Sequence, residues 1–255
     1  MYIDTHAHLT DKCFQDYVDD ILEQSKQHGI EKIFCASYDK QSSIESVELA
    51  KKYNDVYAII GVHPHDAKTY DEQLEKTIIQ LAQNNKVVAI GEIGLDYHYD
   101  LSPRDIQKQV FEKQIDLAYQ LGLPIVIHTR EAIGDTMEIL RKNKTKIQGA
   151  LVHCFNASKE ILREIMDMGF YVSYGGAVTF KNANGLLEAV KNTPLDRIML
   201  ETDCPYMTPV PYRGKTNFPK YIPIVAQKIA ELKNISVEEI ETITTQNAQK
   251  FFKIN

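Results

Sequence analysis

The stretch Tyr2-Ile3-Asp4-Thr5-His6-Ala7-His8 has the pattern of a short β-strand with a polar end. Side chains two residues apart on a strand point to the same face, so His6 and His8 can reach one point together, with Asp4 below them. Two neutral imidazoles side by side are a natural ligand pair for a divalent transition metal, and a carboxylate can orient them. A polar strand end that faces water is the alternative explanation.

The rest of the chain repeats a short apolar run followed by an amphipathic segment. The runs are Tyr2–His6, Lys32–Ser37, Val56–Gly61, Val87–Glu92, Pro124–His128, Ala150–His153, Tyr171–Tyr174 and Arg197–Glu201. Several are rich in β-branched residues and nearly continuous in apolar ones, as strands buried on both faces are. Eight such strands alternating with helices predict an α/β fold, a (β/α)8 TIM barrel with a parallel eight-stranded barrel and outer helices.

The length of 255 residues fits that fold, since such barrels typically have about 250 residues in one domain. We therefore predict a single domain over residues 1–255. A doubly wound sheet is the competing fold, but it would be favoured by a glycine-rich phosphate loop after the first strand, which the sequence lacks.

Two helix starts can be recognised between the runs. Ser102-Pro103 precedes a segment with one apolar face, in which Ser can cap the helix and Pro can occupy its first turn. Ser236 and Glu239 have the spacing of a capping box that opens a late helix.

Composition and charge restrict the class of protein. The net charge is −6, which argues against a general nucleic-acid binder but leaves room for a site that contacts a few phosphates. No apolar run is long enough to span a bilayer, and the N-terminus lacks the layout of a signal peptide. The four cysteines are scattered singly, which suits a reducing compartment. We expect a cytoplasmic protein with no membrane association and no obligate protein partner.

Side chains that can bind metals recur where the predicted strands end. In (β/α)8 barrels the chemistry lies at the carboxyl ends of the strands. Histidines with a purely structural role would not be expected to collect there, so the sequence points to a site built from several strands. The residues concerned are His6, His8, His63, Glu92, His128, His153 and Asp203.

Six of these residues make a ligand set that is too large for one tetrahedral zinc ion. The six are His6, His8, Glu92, His128, His153 and Asp203. They suit two metal ions that share a bridging group, and Glu92 lies between the strand-one pair and the later histidines, so it is the natural bridge. Two ions about 3.5–4 Å apart can activate water and stabilise both oxygens of a phosphoryl transfer. Asp203 would bind a metal, orient the nucleophilic water and accept its proton.

Longer motifs make the family recognisable. They are Ile3–His8, Gly61–His65, Gly91–Tyr97, Pro124–Arg130, His153–Phe155, Glu201–Tyr206, Pro211–Asn217 and Asn247–Phe252. On these stretches the chain resembles the TatD family of metal-dependent deoxyribonucleases, within the amidohydrolase-like barrels. The resemblance places the family's metal ligands on the same six residues. It implies a hydrolase of DNA phosphodiester bonds, often acting from the 3′ end, with Mg²⁺ or a transition metal.

The metal and the substrate contacts are less strongly specified. Imidazole-rich ligands favour Zn²⁺, Mn²⁺, Co²⁺ or Ni²⁺ over Mg²⁺. His63, Arg130 and Arg213 are candidates for substrate binding, since each lies at or after a predicted strand end. Arg130 can instead pair with Glu131 or Asp135 at a helix start, and the loop that carries Arg213 can simply be solvated.

Two competing functions follow from the same residues. The first is a metal-dependent amidohydrolase or esterase that acts on a small C–N or ester substrate, which an apolar, closed pocket would favour. The second is a non-catalytic barrel with a structural metal, which needs fewer ligands than the sequence offers. A two-metal deoxyribonuclease with DNA as its substrate, in which Asp203 and Glu92 are the catalytic residues, explains the ligand set best.

Overall fold

The computed structural model describes residues 1–254 and shows eight strands and nine α-helices among them. The strands are β1 (Tyr2–Ala7), β2 (Ile30–Ala36), β3 (Val56–Ile60), β4 (Val87–Asp96), β5 (Ile125–Arg130), β6 (Ala150–Val152), β7 (Tyr171–Tyr174) and β8 (Ile198–Leu200). The helices are α1 (Val18–Gln27), α2 (Lys40–Lys52), α3 (Glu72–Leu81), α4 (Arg104–Leu121), α5 (Ile133–Lys142), α6 (Lys159–Asp167), α7 (Asn184–Asn192), α8 (Ile222–Lys233) and α9 (Val237–Phe252).

The strands form one eight-stranded sheet in which they follow chain order. The chain also divides into two compact units, a central unit of Ala36–Val152 and a terminal unit made of Met1–Cys35 and the chain from His153 onward. In the terminal unit β1 pairs with β2 and β7 with β8, all parallel. In the central unit β3, β4, β5 and β6 pair in sequence, again parallel.

Burial of the strands agrees with the apolar runs of the sequence. All six residues of β1 and all ten of β4 are buried, as expected for parallel strands covered on both faces. The polar members of these strands, such as Asp4, His6 and Glu92, are therefore held away from bulk water. Buried polar side chains of this kind need partners, which the next subsection describes.

Strand bounds differ from the sequence prediction mainly in β4. The β7 bounds were predicted to the residue, but β4 runs on to Asp96, so Glu92 lies within the strand instead of ending it. Gly94 makes this extension possible. Its φ is 143°, and a Cβ there would lie 2.0 Å from the carbonyl oxygen of His128, so only glycine lets β4 and β5 approach this closely.

The two predicted helix starts had different outcomes. Ser236 and Glu239 form a capping box at the start of α9, as predicted. The prediction for Ser102 was wrong, since Pro103 is the N-cap of α4 and makes no side-chain cap. The Ser102 hydroxyl donates to the carbonyl oxygen of His65 at 2.7 Å and accepts from the Lys68 N–H, so it fixes the loop after β3 instead.

No helix within residues 1–254 is long and apolar enough to cross a membrane.

Candidate functional site

The end of β1 and the segment after β8 build the first candidate metal group, in the terminal unit. The Nε2 atoms of His8 and His6 lie 3.3 and 3.9 Å from Oδ1 of Asp203. Ligand atoms of all three residues lie within 4.8 Å of one another. Burial raises the pKa of Asp203, but the hydrogen bond and charge of His8 lower it more, so the pKa falls below its usual value. A carboxylate and two imidazoles at this spacing suit one divalent ion.

Backbone contacts along the end of β1 place Asp203. Its N–H donates to the carbonyl oxygen of His6 at 2.9 Å, and the His8 N–H donates to that of Cys204 at 2.8 Å. Asp203 has a φ of 57°, a left-handed conformation that costs a non-glycine residue energy. Strain of this kind persists where the surrounding structure requires it, which is commonly at functional sites.

Asp4 is a positioning residue in this group. Its carboxylate accepts from the Thr202 N–H at 2.9 Å, from the Thr202 hydroxyl at 2.5 Å and from the His6 N–H at 3.3 Å. Burial raises the pKa of Asp4 to about 8. Asp4 thus ties the strand that carries His6 to the segment that carries Asp203, in the supporting role expected from the sequence.

A second group in the terminal unit contains His6, His153 and Glu201. The rings of His6 and His153 stack with centroids 4.0 Å apart, and Nδ1 of His153 lies 3.7 Å from Oε2 of Glu201. The Glu201 carboxylate also accepts from the Cys154 N–H and the Ser173 hydroxyl, each at 2.6 Å. Glu201 therefore contacts the backbone of the segment after His153, and it is also close enough to be a ligand, although it was not among the predicted ligands.

The central unit holds a third group, formed by His63, Glu92 and His128. Nδ1 of His128 lies 2.8 Å from Oε1 of Glu92, and Nε2 of His63 lies 3.7 Å from the same oxygen. Burial, followed by the charge of His128, lowers the pKa of His63 well below its usual value. His63 is then neutral at physiological pH, and its Nδ1 accepts the His65 N–H at 3.1 Å, so its Nε2 carries the hydrogen and can donate it. The sequence placed His63 among substrate contacts, and the structure brings it into this possible metal-binding group as well.

Asp96 connects this group to its surroundings. Its Oδ2 lies 3.1 Å from Nε2 of His128 and 3.0 Å from Nε2 of His65. Its Oδ1 accepts the backbone N–H groups of His98 and Tyr99 at 3.0 and 2.9 Å. Although burial raises the pKa of Asp96, the His128 hydrogen bond and the Tyr99 N–H lower it below its usual value. Neither Asp96 nor His65 was among the predicted site residues, but the His63-x-His65 spacing, which matches His6-x-His8, was an available signal.

Two buried glutamines of α4 hold the backbone near these side chains. Gln114 accepts from the Val62 N–H at 2.8 Å and donates to the Val62 carbonyl oxygen at 2.9 Å. Gln107 accepts from the Asp96 N–H at 2.9 Å and donates to the Asp96 carbonyl oxygen at 3.1 Å. Each glutamine thus satisfies the N–H and the carbonyl oxygen of one residue, next to His63 in one case and at Asp96 itself in the other.

The predicted ligands therefore fall into both units. His6, His8, His153 and Asp203 lie in the terminal unit, and Glu92 and His128 lie in the central unit. Imidazoles beside carboxylates, most of them buried, are the donor set that transition metals prefer, so the residues fit metal ions. The six ligands, and a bridging role for Glu92, stay predictions.

The two arginines predicted to contact substrate are exposed, and each packs on an aromatic ring. The Arg130 guanidinium lies 4.9 Å from the centre of the Tyr99 ring, and that of Arg213 lies 3.9 Å from the centre of Phe180. The acidic partners considered for Arg130 are occupied elsewhere, because Glu131 pairs with His98. Contact of either arginine with substrate stays a prediction.

A comparison with known proteins identifies the family. The family model described as TatD related DNase matches residues 3–253. The chain belongs to the TatD family. The uncharacterized metal-dependent hydrolase YabD of Bacillus subtilis is 47% identical over 255 residues, covering 100% of both chains. The uncharacterized metal-dependent hydrolase YcfH of Escherichia coli K12 is 35% identical, covering 99% of this chain and 96% of its own.

A solved TatD structure has the same fold. The crystal structure of YjjV, a TatD homologue from Escherichia coli K12, is 26% identical and superposes with a TM-score of 0.94, covering 100% of this chain and 98% of that chain. The predicted (β/α)8 fold class and the TatD resemblance are both confirmed. The coarse functional prediction, a metal-dependent hydrolase of the TatD family, is confirmed as well. The prediction of a single domain stays a prediction.

Proposed function

We propose that this TatD protein is a deoxyribonuclease that hydrolyses phosphodiester bonds from the 3′ end of DNA with the help of two divalent metal ions. The observation that supports it best is the presence, in each unit, of a group of histidines and a carboxylate in which two of the three members are buried. His6, His8 and Asp203 form one, and His63, Glu92 and His128 the other. When bound, the ions would lower the pKa of water and offset the negative charge that develops on phosphate oxygens.

Asp203 is the proposed proton acceptor. Its lowered pKa keeps the carboxylate ionised at neutral pH, so it can take the proton of the attacking water and pass it to the leaving oxygen. In that step a bond forms between the water oxygen and phosphorus, and the bond from phosphorus to the 3′ oxygen of the preceding nucleotide breaks. The products are a DNA strand with a free 3′ hydroxyl and a released nucleoside 5′-monophosphate.

The proposed phosphate contacts are His63, Arg130 and Arg213. Both arginines are exposed, and a guanidinium can bind two phosphate oxygens at once. These cations would offset the repulsion between DNA and a protein of net charge −6. Exposed cations such as Arg130, which lies opposite Asp96, favour a phosphodiester over a small amide or ester, which would need an apolar pocket.

Hydrolysis of single-stranded DNA tests the proposal. Protein stripped of metal is resupplied with Mg²⁺, Mn²⁺, Co²⁺, Ni²⁺ or Zn²⁺ in turn, and the cleavage of 5′-labelled and 3′-labelled strands is compared. We expect metal-dependent removal of single nucleotides from the 3′ end. Asp203→Asn should lower kcat by at least about a hundredfold, within the range for loss of a general base. Asp196→Asn, which changes an exposed carboxylate, should have no effect.

Intact DNA with every ion would contradict the nuclease function, and a panel of small esters and amides would then be the next substrate set. Cleavage that survives in Asp203→Asn would contradict the role given to that residue.

A further inference from the structure

Tyr99 is an exposed aromatic residue whose position is fixed by the buried end of β4. It is 54% exposed, in the loop between β4 and α4. Its backbone N–H donates to Oδ1 of Asp96 at 2.9 Å, and its ring meets that of His65 edge to face, with centroids 5.3 Å apart. The same Asp96 carboxylate contacts His128, so Tyr99 stands beside the central ligand group without belonging to it.

Arg130 packs against this ring and forms no ion pair within residues 1–254. It ends β5 directly opposite Asp96, and its guanidinium lies 4.9 Å from the centre of the Tyr99 ring. The nearby acids are taken, because Asp135 accepts from Tyr97 and pairs with Lys108. Because Arg130 is exposed and pairs with no carboxylate in the described part of the chain, an incoming phosphate can bind its guanidinium without breaking an ion pair.

We infer that Tyr99 and Arg130 form a subsite for one nucleotide of single-stranded DNA. A base stacks on the Tyr99 ring, and a neighbouring phosphate pairs with Arg130. This inference rests on the proposed function. It assigns a binding site to a part of the DNA that the metal ligands do not contact. A ring and a guanidinium side by side match the alternation of base and phosphate along a single strand, which is how such strands are commonly bound.

The subsite also determines which form of DNA is bound. In a duplex each base already stacks on its neighbours and pairs with its partner, so reaching Tyr99 requires unstacking at a cost of a few kcal/mol. A single strand or a frayed 3′ end pays much less. The protein should therefore bind single strands more tightly than blunt duplexes of the same length.

Binding of two probes to the full-length protein tests the subsite. The first is a fluorescent hexathymidylate with phosphorothioate linkages, which slow hydrolysis, and the second is the same backbone without bases. Tyr99→Ala should weaken binding of the first probe roughly 5- to 150-fold, the loss expected for one base–aromatic stack, and leave the second unchanged. Tyr99→Phe should retain the native affinity. Tyr119→Ala is the control, since Tyr119 is 52% exposed but lies in the last turn of α4.

Arg130→Gln should weaken the binding of both probes and reduce the slope of log affinity against log salt by about 0.7, the value for one phosphate of a single strand. Arg163→Gln, at an exposed position of α6, should leave that slope unchanged. The subsite is wrong if Tyr99→Ala behaves like Tyr119→Ala, or if it weakens the base-free probe equally. It is also wrong if the native protein binds neither probe.

These outcomes are independent of hydrolysis. Binding that depends on Tyr99 in a protein that cleaves no DNA would support the subsite and contradict the nuclease. Cleavage by the metal-loaded protein with no effect of Tyr99→Ala on binding would support the nuclease and contradict the subsite.

Discussion

His128 lies between two carboxylates, with one at each of its ring nitrogens. Glu92 is 2.8 Å from Nδ1, and Asp96 is 3.1 Å from Nε2. A carboxylate beside an imidazole fixes the ring orientation and makes the other nitrogen a better ligand. Asp96, which holds His128 in place, is therefore expected to affect metal binding, just as the ligands do.

Asp96→Asn tests this expectation. An amide keeps an oxygen for the His98 and Tyr99 N–H groups but loses the charge beside His128 and His65. We expect metal affinity to fall by about 10- to 100-fold, as for other changes next to metal-binding histidines. Metal content measured by atomic emission checks it without requiring a substrate.

The exposed Asp105 in the first turn of α4 provides the matched control, and Asp105→Asn should bind metal normally. Native metal affinity in Asp96→Asn would limit Asp96 to holding the loop that follows β4.

Among the elements, α4 supports the backbone beside the central ligands. Gln107 and Gln114 are seven residues apart and so lie on one face of the helix, together with buried Val110 and Phe111. From that face Gln114 satisfies both backbone groups of Val62, the residue before His63. The helix therefore positions the strand end through polar contacts as well as apolar packing.

Gln114→Leu should destabilise the protein, because the N–H and carbonyl oxygen of Val62 would be buried without partners. Each such group costs about 1–3 kcal/mol, so we expect a loss of at least about 2 kcal/mol. That corresponds to a fall in Tm of about 4 °C or more for a chain of this size, measured by calorimetry.

Gln109→Leu changes an exposed glutamine of the same helix and should leave Tm almost unchanged. Equal Tm values for the two variants would mean that Val62 finds other partners.

Elements defined by local sequence patterns could be predicted, whereas features defined by contacts between distant residues could not. Apolar runs located all eight strands, and the capping box located α9, because both are local patterns. The extension of β4 to Asp96 was missed because it depends on the close approach of Gly94 to His128. The contact of His65 with Asp96, 31 residues away, was missed for the same reason, since no local pattern encodes it.

For the whole molecule, the main feature is that each unit has a possible metal-ligand group of its own. Metal ions that bind the folded chain and not the unfolded chain stabilise it by mass action. We expect stripped protein to gain about 2.7 kcal/mol when Zn²⁺ or Mn²⁺ reaches a hundred times its dissociation constant. The rise in Tm would be about 5–10 °C, measured by a thermal shift.

The choice of ion provides the control for this measurement. Ca²⁺ prefers oxygen ligands, so it should raise the Tm less than Zn²⁺ at a site rich in imidazole. A Tm that does not respond to any of these ions would contradict metal binding by the folded protein.

The terminal ligand group has a consequence for how the protein is made. His6 and His8 are translated almost 200 residues before Asp203. The members of the central group lie within 66 residues of one another, from His63 to His128. During synthesis the side chains of the central group are therefore all present before Asp203 is made, while His6 and His8 must wait for Asp203. A product of translation that stops before Asp203 would lack the carboxylate of the terminal group and could not complete that group.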